Sequence, residues 1–377
     1  MFEDKPAYEQ VPLQGSSDLS DASAQRNVTD ELQDDGASVY IRQRDAADDL
    51  RVVSWPQGKS FNDARGYYYY LGWERRPIVY IIDGGLDTNN QVSSKASICP
   101  NASRIGVDSR VLHQGDFNLG IDRWLYTSKV KSKRKNTPTD DNPNSHGSCV
   151  LSKAIGTKNG VYKNSIGIRS KNSDIVVVKL DDTNLGVVEP LEAFDLVYRD
   201  IVSSGGYRPP VVIFSILSTP PIVPVQHAAT KVYMNKLLDI GATIVVPSGN
   251  YADKGRPNVD SIPAIWEDAQ NFPIVVVGSV DNAGAVAPFS QGPNHVTIWA
   301  PGVGIRCARR YSFYVQEGTS ASGGTVAGLA AYGLALGKVD FLPSILTPRY
   351  VRNWLQNTAS WPRQNGGVPV IWNTEQG

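Results

Sequence analysis

The sequence predicts an α/β fold, a three-layer αβα sandwich built on one mostly parallel sheet. Three observations carry that prediction. Past Pro77 short apolar runs alternate with stretches of helical period, the order that builds parallel strands joined by crossover helices. The runs are continuous and mostly β-branched, as strands covered on both faces require. At 377 residues the chain has room for one large α/β domain or two moderate ones.

Taken in order, residues 1–38 are rich in Asp, Ser, Gln and Glu and poor in aromatics, too polar to bury a core, and read as a mobile tail. Val53-Ser54-Trp55-Pro56-Gln57-Gly58 and the four tyrosines at 67–70 suggest an extended arm laid on the domain, but plain surface packing of the aromatics is the favoured reading. Strands are expected over 78–82, 175–180, 211–216, 243–246 and 274–277. Helices are expected over 189–202, where Leu191, Phe194, Val197, Tyr198 and Ile201 recur at helical spacing, and over 228–238, 320–336 and 348–357. Residues 129–135 hold five basic side chains beside an acidic stretch and read as a solvated loop rather than a nucleic-acid patch.

Composition narrows the function. The 37 basic residues cancel the 37 acidic ones, so no global field recruits nucleic acid or an anionic membrane. No apolar run reaches the roughly 18 residues of a membrane span. Neither partner is expected; a monomer is the expectation, though composition does not give the oligomeric state. Cys99, Cys149 and Cys307 are too few for a disulfide-stapled scaffold, and their pairing stays open. Cys149 reads as a small buried thiol with mild sensitivity to thiol reagents. No C-x-x-C or Cys/His cluster suggests a metal. The first 25 residues lack the basic start and apolar centre of a secretory signal, while Asn27-Val28-Thr29 and Asn101-Ala102-Ser103 carry little weight as glycosylation sites.

Three segments set a reactive side chain beside glycine at the edge of a predicted element. They are Val79-Tyr80-Ile81-Ile82-Asp83-Gly84-Gly85, Ser145-His146-Gly147-Ser148 and Gly318-Thr319-Ser320-Ala321-Ser322. A serine hydroxyl is a poor nucleophile until a base takes its proton, and an imidazole base needs a carboxylate to hold its tautomer. Asp83 ends a strand, so it belongs at the carboxyl edge of the sheet, where open α/β folds keep their sites. His146 and Ser320 each open a helix; the bland reading of Thr319 and Ser320 is a helix cap. A fourth segment, Pro247-Ser248-Gly249-Asn250, follows a strand and offers the Asn250 amide as an oxyanion donor beside the Ser320 amide. The other histidines, His113, His227 and His295, sit in no such context and read as structural or surface groups.

With acid, imidazole, asparagine and serine in this order, the chain resembles the subtilisin-like serine proteases. His146 precedes Asn250 by 104 residues, and Asn250 precedes Ser320 by 70. Val277-Gly278-Ser279-Val280-Asp281, Phe289-Ser290 and Ala300-Pro301-Gly302-Val303 are similar to that family's path toward its nucleophile, and the Trp55-Pro56 lead-in is similar to fungal members. The resemblance implies a subtilisin-like sandwich and a serine endopeptidase with Asp83, His146 and Ser320 as triad and Asn250 in the oxyanion hole. It further implies Ser215, Ile216, Leu217, Ser248 and Gly249 as substrate-binding residues, and a protein or peptide substrate.

The same resemblance implies a propeptide, so residues 1–50 read as a polar tail or propeptide remnant ahead of a catalytic domain over 51–377. It implies an extracellular setting and no cofactor; structural calcium is common in the family, but no site is placed. Four positions depart from the family pattern: Gly84, Leu151, Gly324 and Leu217. The family's substrate strand reads Ser-Leu-Gly where this chain has Ser215-Ile216-Leu217, so Leu217 is expected to narrow the primary pocket. The rival reading is a catalytically weak relative acting as a binding or inhibitory module.

Overall fold

The computed structural model describes residues 9–10, 14–18, 31–34, 39–44, 46–70, 75–86, 121–132, 146–155, 174–181, 187–206, 208–218, 220, 224–309 and 312–375. Nine strands make the main sheet: β1 (Ile78–Asp83), β2 (Ile121–Tyr126), β3 (Asp174–Lys179), β4 (Pro210–Phe214), β5 (Thr243–Pro247), β6 (Val275–Val280), β7 (Ile298–Pro301), β8 (Ser360–Pro362) and β9 (Pro369–Ile371). Their order is β8-β9-β7-β6-β5-β4-β1-β3-β2, parallel throughout except for the antiparallel edge pair β8 and β9. All five predicted strands are present. The four others give a weaker signal: β2 is interrupted by Asp122 and Arg123, and β7, β8 and β9 are short and carry prolines.

Among the described residues, five helices cover the sheet: α1 (His146–Ala154), α2 (Val188–Ser203), α3 (Pro224–Asp239), α4 (Thr319–Ala335) and α5 (Leu346–Asn357). The period of two along each strand sorts the core. Val79, Ile81, Val177, Val211 and Ile213 face α1, α4 and α5, while Ile78, Tyr80, Ile82, Val176, Val212 and Phe214 face α2 and α3. Each such side chain fully buried stabilises by roughly 1.5–3 kcal/mol relative to exposure. Helix α4 is buried along its whole length, which its Gly and Ala content permits. A Cβ at Gly324 would stand 2.5 Å from the Val150 carbonyl oxygen of α1, and one at Gly333 would stand 2.7 Å from the Trp354 ring of α5. The glycine at 324 therefore sets how closely α1 approaches α4.

The N-terminal region differs from the expected tail. Glu31–Asp34 pairs with Val39–Gln43, which pairs with Tyr67–Tyr70, and Gln14–Asp18 pairs with Ser312–Glu317. Glu31–Asp34 and Gln14–Asp18 carry no apolar period, and backbone pairing joins them to their neighbours. A short helix, Asp48–Val53, runs across the expected boundary at residues 50 and 51. Its Leu50 and Val53 enter the core beside Tyr67 and Tyr69, and its buried Asp49 accepts from the buried Lys153 ammonium of α1. Trp55 packs edge-on against Trp361, with Arg363 over both rings. The solvated loop expected over 129–135 is in part a helix, Ser128–Ser132, whose Val130 is buried. Lys129 lies 3.6 Å from Glu189, whose burial holds its carboxyl above the usual range. Residues 133–135 lie outside the described residues.

Candidate active site

Asp83 is the last residue of β1 and is buried at the carboxyl edge of the sheet. Its Oδ1 accepts from the Gly84 amide at 2.8 Å, which aims the carboxylate. The Nδ1 of His146, the first residue of α1, stands 3.0 Å from Oδ1 and 2.9 Å from Oδ2. Close approach depends on the next residue. A Cβ on Gly147 would run into the Gly85 carbonyl oxygen and stand 3.1 Å from the Asp83 Cβ, so any side chain there would push α1 off β1.

Asn250 follows β5 on a loop held by backbone hydrogen bonds at Ser248 and Gly249. The Ser248 amide donates to Val277 of β6 at 2.9 Å, and the Gly249 carbonyl accepts from the Gln291 amide at 3.0 Å. Gly249 has φ +113°, and its missing side chain leaves room for the Gln291 carboxamide. The Asn250 Oδ1 accepts from the Thr319 amide at 2.9 Å and the Thr319 hydroxyl at 2.8 Å, which turns its NH2 end away from Thr319. The Thr319 Oγ1 also accepts from the Gly249 amide at 3.2 Å. Thr319 thus positions the loop. The sequence signalled it only by adjacency to Ser320, where it passed for a helix cap.

Ser320 is buried in the first turn of α4. Two residues on, the Ser322 Oγ bonds to the Ser279 hydroxyl at 2.8 Å and to the Pro301 carbonyl at 2.9 Å, pinning that turn to β6 and β7. The contact of α1 with α4 has a simple register. Residue 324 meets residue 150 and residue 328 meets residue 154, so the helices run side by side in the same direction. Continued one turn toward the N-terminal ends, the same spacing of 174 residues would pair residue 320 with residue 146.

The predicted strand over 211–216 is interrupted. β4 stops at Phe214, and Ile216–Leu217 forms a separate short strand paired antiparallel with Glu9–Gln10, Glu9 opposite Leu217 and Gln10 opposite Ile216. Leu217 is 2% exposed and joins the apolar cluster of that face. Ser215 and Ser248 each bury a hydroxyl that has no hydrogen-bond partner among the described residues.

The reading of Cys149 as a free thiol is overturned: Cys149 and Cys307 form a disulfide with Cα atoms 4.5 Å apart. The pairing spans 158 residues of sequence, a separation at which spacing says nothing about proximity. Cys99 and His113 lie outside the described residues. His227 is buried in α3, which lowers its proton affinity, and His295 stands 3.7 Å from Glu267. Among the described residues, no group of three or more His, Cys, Asp or Glu is gathered to hold a metal ion, and no helix is long and apolar enough to cross a membrane.

Comparison with known proteins identifies the family and the fold. Residues 74–377 match a family model described as the subtilase family. Subtilisin-like protease 2 of Trichophyton rubrum is 29% identical over 216 residues, covering 56% of this chain and 46% of that protein. The chain thus spans about half the length of such fungal relatives. Subtilisin of Bacillus pumilus is 26% identical over 255 residues, 65% of this chain and 82% of that one. The solved structure of a cold adapted subtilisin-like serine proteinase superposes with a TM-score of 0.57 at 19% identity, over 88% of this chain and 99% of that chain. The fold is subtilisin-like, and the family match spans most of the chain: this protein belongs to the subtilase family.

Proposed function

We propose that the protein is a serine endopeptidase whose triad is Asp83, His146 and Ser320. The observation that carries the reading is the Asp83 carboxylate on His146 Nδ1, on a helix whose register with α4 points to Ser320. In this reading the Ser320 hydroxyl attacks the scissile carbonyl, and His146 Nε2 takes its proton and returns it to the leaving amine. Asp83 stays ionised, holds the Nδ1–H tautomer and stabilises the imidazolium. Water then enters by the same route and hydrolyses the acyl-enzyme. The Asn250 NH2 and the Ser320 amide, at the positive end of α4, receive the oxyanion. Asn250→Ala should lower kcat about a hundred- to a thousandfold with little change in KM, read with a fluorogenic peptide; the magnitude is the one known for the corresponding asparagine of subtilisin.

Substrate is proposed to be an extended protein or peptide segment. The Ile216–Leu217 strand already accepts such a segment, the chain's own Glu9–Gln10, by antiparallel pairing. At its head, Ser215 and Ser248 present buried hydroxyls for which an incoming backbone would supply partners. Leu217 stands where the family has glycine and is read as narrowing the primary pocket. A peptide library should therefore be cut after Ala or Gly in preference to Phe, and Leu217→Gly should raise kcat/KM for Phe peptides by about tenfold or more. Equal cutting after Phe by the unchanged protein would remove that role from Leu217.

The test of the whole reading is covalent labelling by a fluorophosphonate. Labelling confined to Ser320 supports it. A folded protein that binds extended peptide but resists the label would instead be the binding or inhibitory module.

A further inference from the structure

One feature near the site has no part in the proton relay. Cys149 lies on α1 three residues after His146, close to one helical turn. Its partner Cys307 lies on the strand Ile305–Arg309, opposite Tyr314 of Ser312–Glu317, and that second strand leads directly into Gly318-Thr319-Ser320. The hairpin base is closed where the Gly318 amide donates to the Gly302 carbonyl at 2.9 Å. Both cysteines are fully buried in a small cluster of their own with Ile305 and Ala321, the residue after Ser320. The disulfide therefore ties the turn that bears His146 to the hairpin that delivers Ser320, and packs against the serine's neighbour. Elsewhere α1 meets α4 across Gly324 and Gly328 and is held by the ion pair of Lys153 with Asp49, two turns from His146.

We propose that the Cys149–Cys307 disulfide is a positioning clamp that holds His146 in reach of Ser320, so that full turnover requires the chain to have folded under oxidising conditions. This rests on the triad reading given above. The clamp forms when two thiols lose two protons and two electrons to a disulfide oxidant such as glutathione disulfide, which leaves as two glutathione thiols. Because both sulfurs are buried, the clamp is set during folding and is closed to reductant in the native state. A misplacement of about 1 Å at a reacting group can cost about a hundredfold in rate. Loss of the clamp should therefore appear in kcat rather than in KM.

The test compares the unchanged protein with Cys149→Ala/Cys307→Ala. With active sites counted by titration and assays run well below the melting temperature, kcat should fall about ten- to a hundredfold while KM stays within about twofold. Amide hydrogen exchange should quicken in the first turn of α1 but not in the body of α4. A variant that melts earlier yet keeps kcat and the exchange pattern would have lost only stability, and would overturn the proposal. If the variant does not fold, the unchanged chain is refolded with reduced or with oxidised glutathione, and its thiols are alkylated after denaturation. One reactive thiol of three is expected in the active product, and three reactive thiols in a fully active protein would overturn the clamp. Failure of the triad reading looks different: the disulfide-bonded protein would resist fluorophosphonate, while hydrogen exchange at α1 still reports whether the crosslink holds that turn.

Discussion

Replacing Ser320 with alanine is expected to lower turnover by about a millionfold while leaving the melting temperature unchanged; the magnitude is the one known for subtilisin's own serine. The size follows from how the parts cooperate. Once the nucleophile is gone, the imidazole has no hydroxyl to activate, and only the oxyanion donors and substrate binding remain. The fold should not notice. Thr319, which holds Asn250, and Ser322, which reaches Ser279 and the Pro301 carbonyl, keep their bonds in that variant. Steady-state assays beside thermal melts would check both halves. A loss under about a hundredfold would mean that another residue attacks.

Asp83→Asn is expected to cost about ten-thousandfold in kcat/KM. Both carboxylate oxygens face His146 Nδ1, at 3.0 Å and 2.9 Å, while the Gly84 amide fixes Oδ1. The Gly84 bond would hold the amide oxygen at the Oδ1 site, leaving the NH2 toward Nδ1. The ring would then carry its proton on Nε2, the wrong nitrogen to accept one from serine. Because Asn matches Asp in shape, little else should change, and hydrogen exchange over β1 should stay the same. A variant with wild-type kcat/KM would reduce Asp83 to a cap on the end of its strand.

The parts of the site that are legible in the sequence are those where chemistry coincides with a strong local pattern. Ile78 to Ile82 announce a strand covered on both faces, and that run alone assigns the acid that follows it to the sheet edge. Asn250 is readable for the same reason, after Thr243–Pro247. What escapes depends on distance through space. Cys149 and Cys307 meet across 158 residues, and nothing in either neighbourhood names the other. Glu9–Gln10 pairs with the Ile216–Leu217 strand through backbone groups, which every residue carries, so residue type gives no sign of the pairing. Gly324 looks like a departure from the family pattern, and its reason appears only with the Val150 carbonyl standing where a side chain would begin. Thr319 is hidden by residue type, since a threonine at a helix start has an ordinary explanation.

Helix α4 carries Ser320 at its head and is enclosed along all its turns between the sheet, α1 and α5. Elements so enclosed open last, at a free energy close to that of the whole molecule. In the proposed triad the attacking hydroxyl thus rides on a late-opening part of the architecture, and no half-melted intermediate would keep cutting power. On warming, the proposed hydrolysis and the native state should be lost in a single transition, so that activity would end at the moment the chain itself becomes digestible.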